Sequence, residues 1–257
     1  MNIIDWIAIL GALAWTPHLF SFIHNFLTKP VIQIITPRTV SLGFTTLGSI
    51  FNLNLAFSVR NKDIVISSIA INLKHESGEE KVFNWQNIQQ QIMKMRIPDG
   101  SVLPYEKEQS VLAIKINEKD IEERFIQFQE SSFHIVKNAR EDKLAKDITY
   151  QRKQNKYDPK TFIESQDALE FFDIIKQAFS WKAGKYKVVI NIKSPDAFTI
   201  KDNEYEFLLT AVDVDFLEHN KEYIKLDYKN YMVPQKEEDI EKVNWNWRNP
   251  ELKKLNK

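Results

Sequence analysis

The sequence predicts a mainly β protein of the α+β class, in which one N-terminal transmembrane helix precedes an antiparallel β-sandwich with a helical insertion. Three observations support this prediction. Residues 6–27 carry no charged side chain, although 27% of the 257 residues in the chain are charged. Apolar residues then alternate with polar ones over several stretches, which is typical of half-buried strands. Helical patterns separate the early strands from the late ones, which indicates an insertion.

The uncharged run at residues 6–27 is long enough to cross a bilayer. Its 22 residues would span ~33 Å as a helix, close to the ~30 Å hydrocarbon core. No basic residue precedes the run, which argues against a signal peptide. A core helix is the other alternative, but residues 7–15 are apolar on every side. Lys29 and Arg38 follow the run, so the positive-inside rule places the C-terminal domain in the cytoplasm.

Three polar residues of this predicted anchor, His18, Ser21 and Asn25, share one helix face. Such a polar face could contact another helix or line a water-filled path. The alternative is that these side chains lie at headgroup level near the end of the helix. The lipid bilayer is therefore an expected partner, and self-association through the anchor stays open.

The pattern divides the chain into an anchor (1–29), a sandwich domain (30–232) and a charged tail with a Trp pair (233–257). The clearest strand lies at residues 51–60, where every second residue is apolar. The helical insertion is predicted at about 118–180. Its first helix would start after Asn117, with apolar residues spaced as in a helix at Ile121, Phe125 and Phe128, and Ser165 would cap the second. The strands resemble, in general style, immunoglobulin-like or arrestin-like sandwiches, and this resemblance is one of architecture only.

The composition and motifs exclude several classes of chemistry. The 35 basic residues balance the 35 acidic ones, so no overall positive field favours nucleic acid. The chain has no cysteine, which excludes a thiolate zinc site or a cysteine nucleophile. No Walker A, GxGxxG, GxSxG or HExxH motif occurs. We therefore expect no cofactor and no enzymatic activity.

One acidic cluster could still hold a metal or act as an acid–base pair. Asp213, His219 and Glu222 lie close together in the sequence, with Asp215 and Glu218 between them. The structural alternative is that Asp213 lies on the outer face of a strand and that Asp215 and Glu218 form a capping box for the last helix. We expect the second account.

Two further segments could contact partners. Residues 137–160 are basic and contain two tyrosines, so they could lie on anionic lipid, bind nucleic acid or form a solvated insertion, which we favour. In the tail, Val243, Trp245 and Trp247 alternate with polar residues. These residues could pack on the domain itself or add a strand to a partner protein.

The predicted function follows from these observations. We expect a membrane-anchored cytoplasmic binding or adaptor module without catalysis, with another protein as its partner, that could be an accessory subunit of a membrane assembly. The alternative is a membrane-tethered, metal-dependent hydrolase or nuclease that uses the carboxylates of residues 213–222. A third possibility is a structural subunit that oligomerises through its anchor.

Overall fold

A computed structural model describes residues 14–20, 23, 27–96, 102–110, 112–233 and 240–255, and only the backbone of 87–96 and 102–110. In this part of the chain the strands are β1 (Val31–Ile35), β2 (Ser41–Thr45), β3 (Gly48–Arg60), β4 (Ile64–Ile66), β5 (Ser68–His75), β6 (Glu80–Arg96), β7 (Val102–Ser110), β8 (Ile114–Ile116), β9 (Ile121–Glu130), β10 (Gly184–Lys193), β11 (Thr199–Lys201), β12 (Glu204–Leu209), β13 (Trp247–Arg248) and β14 (Lys253–Lys254). The helices are α1 (Ser131–Lys153), α2 (Pro159–Ile163), α3 (Gln166–Gln177), α4 (Ala211–Glu218) and α5 (Ile224–Met232), with a 3₁₀ helix at His219–Tyr223 before α5.

Twelve of these strands form one curled sheet. Its order is β11-β1-β3-β9-β6-β5-β10-β12-β14, with β2 on the first half of β3, β13 on β2 and β7 on β6. The sheet is mixed. β11 pairs with β1 in parallel, whereas β1 pairs with β3, and β3 with β9, in antiparallel. β4 and β8 form a separate two-stranded sheet. The prediction of a mainly β protein with added helices is thus confirmed.

The long strand β3 organises the main core. The alternating residues predicted to point inward are all buried: Phe51, Leu53, Leu55, Phe57 and Val59. Their strand pairs with β1 and β2 on one side and with β9 on the other. Because a one-residue slip would turn this whole apolar row to the opposite face, burial fixes the register of the strand.

The predicted first helix after Asn117 is wrong, because residues 121–130 form strand β9. Asn117 and Asp120 close a turn in which Lys119 has a φ of 70°, and the amide of Asp120 donates to the carbonyl of Asn117 at 3.2 Å. The strand then pairs with β3 and β6 over most of its length. Tertiary pairing on both edges outweighs the helical spacing of three apolar residues. The helices of the insertion begin at Ser131.

The C-terminal strap, defined as residues 247–254, joins two edges of the curled sheet. Its first strand, β13, pairs with β2, and its second strand, β14, pairs with β12. Leu252 between them is buried in the main core. The amide of Leu252 donates to the carbonyl of Arg38 at 2.8 Å. The strap therefore covers strand edges that would otherwise expose unpaired backbone groups.

The membrane prediction requires correction. Residues 14–20 are helical, and Trp15, Leu19 and Phe20 are exposed. The remainder of the predicted anchor includes residues 6–13, 21–22 and 24–26, which lie outside the described residues. Among the described residues, no helix combines the length and the apolar character that crossing a bilayer requires. On this finding, the prediction of a single-pass membrane protein with a cytoplasmic C-terminal domain is wrong.

Candidate functional site

The helices form a second apolar cluster beside the curled sheet. In α3, Ser165 caps the first turn by accepting a hydrogen bond from the amide of Ala168 at 3.4 Å, as the sequence predicts. Asp158 caps α2, which places Phe162 and Ile163 in the same cluster. The cluster is completed by Phe44 of β2 and by Ile224 of α5. The helices therefore pack against the sheet through this common apolar cluster.

An apolar pocket of about 200 Å³ opens between α1, α3 and α5. Eight of its ten lining residues are apolar: Leu144, Ala145, Ile148, Phe162, Ala168, Phe171, Phe172 and Met232. Glu141 and Tyr228 are the other two. Concave apolar surfaces with a small number of fixed polar groups are the usual form of small-ligand sites.

Glu141 is held in one position at the rim of this pocket. Its Oε1 accepts a hydrogen bond from Lys137 Nζ at 2.6 Å and another from the Tyr228 hydroxyl at 2.9 Å. The Lys137 side chain is only 9% exposed, while that of Glu141 is 37% exposed. The buried ammonium is thus neutralised by a carboxylate that still reaches solvent, and neither bond uses Oε2 of Glu141.

Tyr228 remains a neutral donor in this arrangement. Burial raises the pKa of its phenol far above the usual value, and the negative charge of Glu141 raises it further. Its ring packs against Phe171 in an edge-to-face contact with centroids 5.3 Å apart. Tyr228 therefore orients the carboxylate and forms part of the wall, and it has no tendency to ionise near neutral pH.

The predicted acidic cluster has a structural role at Asp213. Strand β12 ends at Leu209, and Thr210 caps α4 in a capping box with Asp213. The predicted capping box at Asp215 and Glu218 is therefore wrong. Although partial burial of Asp213 opposes it, hydrogen bonds from Thr210 and the charge of Arg248 lower the pKa of this carboxyl group.

The other members of that cluster lie further along the chain. His219 and Glu222 are exposed on the 3₁₀ helix. Within the described residues, no group of three His, Asp or Glu side chains is arranged to hold a metal ion. The carboxylate of Asp213 is instead occupied by Thr210 and by Arg248, whose Nε lies 3.2 Å from Oδ1.

The structure places the candidate docking residues of the tail against the domain. Trp247 lies in β13, directly over Gly43 of β2. Trp245 packs edge-to-face on Tyr223 with centroids 6.1 Å apart, and Val243 is half-buried. Of the predicted polar face of the anchor, His18 is exposed, and Ser21 and Asn25 lie outside the described residues.

Lys137, Glu141 and Tyr228 are not predicted as a site from the sequence. Lys137 and Glu141 belong to the basic segment 137–160, which lies in α1 as far as Lys153. The i, i+4 spacing of an acid and a base was the available signal, but it usually marks an exposed pair on a helix.

Comparison with known protein families, with curated proteins and with solved structures finds no match for this chain.

Proposed function

We propose that this protein is a binding module without catalysis, and that the pocket between α1, α3 and α5 takes up a small apolar group with one hydrogen-bond donor. The observation that carries the proposal is the combination of eight apolar lining residues with one fixed carboxylate at the rim. The immunoglobulin-like sandwich predicted from the strands stays a prediction, and the binding proposal does not depend on it.

The volume of the pocket limits the size of the ligand. A cavity of ~150 Å³ lined by apolar side chains can hold benzene. The 200 Å³ pocket therefore suits a single ring with a short substituent, or a branched aliphatic group of similar volume. The walls would supply affinity through burial of apolar surface, at ~25 cal/mol per Å².

The rim determines which end of the ligand points outward. Oε2 of Glu141 can accept a hydrogen bond from a hydroxyl, amide or amine of the ligand. A ligand carboxylate would meet the negative charge of Glu141 and lose its own hydration, which disfavours it. The site would thus prefer a neutral donor attached to an apolar body.

Benzyl alcohol is a suitable first probe, with benzoate as the charged comparison. We expect saturable shifts of the Met232 and Ala168 methyl signals when the full-length protein is titrated with benzyl alcohol, with a Kd of about 1 mM. Benzoate should bind more weakly. Ala145→Phe should block the pocket, because Ala145 is an exposed lining residue at which a ring can be added without repacking the core.

Ala139→Leu provides a matched control, because Ala139 is an exposed alanine of the same helix that does not line the pocket. This variant should bind benzyl alcohol as the unmodified protein does. Equal binding by Ala145→Phe, or the absence of saturable shifts in the unmodified protein, would reject the proposed function.

A further inference from the structure

On the edge of β12 that faces away from β10, every second residue has a hydrogen-bonding or strand partner except one. The carbonyl of Glu204 accepts a hydrogen bond from the amide of Leu255 at 3.0 Å, and Glu206 is paired with Lys253 of β14. The amide of Thr210 donates to Oδ2 of Asp213 at 3.0 Å. Leu208 lies between these covered positions, and in the described part of the chain it is paired only with Lys185 of β10.

The alternation of backbone directions shows where the Leu208 groups point. The carbonyl of Lys185 accepts a bond from Glu76, on the side of β10 away from β12. Even-numbered residues of β10 therefore bond to odd-numbered residues of β12, and the even-numbered residues of β12 face outward. The amide and carbonyl of Leu208 thus point away from β10, toward the C-terminal strap.

A groove of about 580 Å³ lies at this position, because the strap pairs with β12 only from Lys253 onward and the residues before Lys253 lie away from it. Preceding residues of the strap pair with the other edge instead, where Glu251 bridges to Thr39 and Arg248 pairs with Leu42. We call this opening the seam groove, and its lining includes Glu206, Leu208, Asn249 and Pro250. The groove is closed at Glu206, where β14 pairs with β12, and open beside Leu208.

The charged side chains of the seam groove neutralise one another. Lys185 lies 3.6 Å from Glu206, and Lys253 lies 3.3 Å from Glu251. Arg248 pairs with Asp213 and stacks on the ring of Phe216, 3.8 Å from its centroid. The groove therefore attracts neither a strongly acidic nor a strongly basic ligand.

Apolar side chains are exposed beside the open edge. Leu208 lines the groove and is 57% exposed, and Phe216, whose ring lies under Arg248 of the groove lining, is 38% exposed. An uncharged strand with apolar residues at alternate positions matches this surface, since its main chain would meet the open edge and its side chains the apolar patch.

We propose that the seam groove binds an extended, uncharged peptide segment of a partner protein, which adds a short strand to β12 at Leu208. The amide of Leu208 donates to a carbonyl of the peptide, and its carbonyl accepts from a peptide amide. Alternate apolar side chains of the segment rest on Leu208 and Phe216. This surface is separate from the pocket between the helices.

The probe is a fluorescein-labelled, C-terminally amidated Thr-Val-Thr-Val-Thr-Val peptide, titrated with the full-length protein and followed by fluorescence anisotropy. Leu208→Pro removes the outward amide and leaves the pairing with β10 in place, because proline is tolerated at an edge whose amide faces outward. We expect it to weaken binding by about tenfold or more. Leu208→Ala retains the amide, and it should weaken binding less than Leu208→Pro does.

A second, modified peptide tests the main-chain hydrogen bonds without any change to the protein. The same peptide with every amide between its residues N-methylated has no main-chain donor for a strand edge, and it should not bind the unmodified protein. Equal binding of this peptide, or unchanged binding by a folded Leu208→Pro variant, would mean that the groove holds a ligand by apolar contact alone and would overturn the proposal. Lack of binding of the first peptide at about 1 mM would also overturn it. Binding that persists in Ala145→Phe shows that the pocket is not responsible.

Discussion

The side chain of Asn220 holds the backbone of Asn246 by two hydrogen bonds. The amide of Asn246 donates to Oδ1 of Asn220 at 2.8 Å, and Nδ2 of Asn220 donates to the carbonyl of Asn246 at 2.9 Å. The same Nδ2 donates to the carbonyl of Phe44 at 2.8 Å. Asn220 is fully buried, so one side chain connects the 3₁₀ helix, β2 and the residue that directly precedes the strap.

Replacing Asn220 by alanine should destabilise the protein by ~3 kcal/mol, because backbone groups of Phe44 and Asn246 would lose partners in a buried environment. Urea unfolding would measure this loss. Asn138→Ala, on the exposed face of α1, is the control and should change stability by less than ~0.5 kcal/mol. If both variants unfold at the same urea concentration, Asn220 does not anchor the strap.

Gly43 and Trp247 should show strong energetic coupling. A Cβ at position 43 would overlap the indole of Trp247, which covers this glycine. The carbonyl of Gly43 also accepts a bond from Nε1 of Trp181 at 2.8 Å, so β2 cannot shift freely. We expect Gly43→Ala to cost ~2 kcal/mol in the unmodified background and much less in the Trp247→Ala background. Equal costs in a double-mutant cycle would show that the clash is relieved elsewhere.

Substitutions of Lys137 and Glu141 should have non-additive effects on the free energy of unfolding. Glu141→Leu leaves a nearly buried ammonium without its carboxylate, so we expect a loss of ~2 kcal/mol or more. Adding Lys137→Met removes that charge and should restore most of the lost stability. Thermal or urea unfolding of the single and double variants would measure the effect, with Ala139→Leu as a control on the same helix. A double variant that is less stable than Glu141→Leu would contradict the account.

The ion pair of Asp202 and Lys254 should make the strap sensitive to acid. A hydrogen bond from Lys254, at 2.6 Å, lowers the pKa of Asp202 below 3.8; partial burial opposes this, and Gln33 adds to the lowering. A carboxyl group whose pKa is lowered by folding adds stability above the pKa of the unfolded chain and loses it as the pH falls through the folded value. Lys254→Ala should therefore be less stable than the unmodified protein at pH 6, and the difference should shrink below about pH 4.

Urea midpoints at pH 6 and pH 3 would test this dependence. Lys146→Ala, which removes an exposed lysine of α1, controls for the change in net charge. A stability difference between Lys254→Ala and the unmodified protein that is the same at both pH values would show that the ion pair does not contribute.

The sequence by itself determined the inward face of β3 and the cap at Ser165. These features depend on local alternation or on one side chain bonded to a nearby amide, so a short stretch of sequence contains the required information. The same local reasoning failed at residues 121–130, where helical spacing was outweighed by pairing with two strands far away in the sequence. It also failed for the N-terminal run, where an uncharged stretch was read as a membrane span.

Only the tertiary structure decided the candidate sites. The pocket requires α1, α3 and α5 to meet, and Tyr228 reaches Glu141 from 87 residues further along the chain. The seam groove exists because the strap pairs with two different edges and leaves Leu208 uncovered between them. Neither arrangement follows from local spacing, since both depend on which distant backbone and side-chain groups remain unpaired after the long-range contacts have formed.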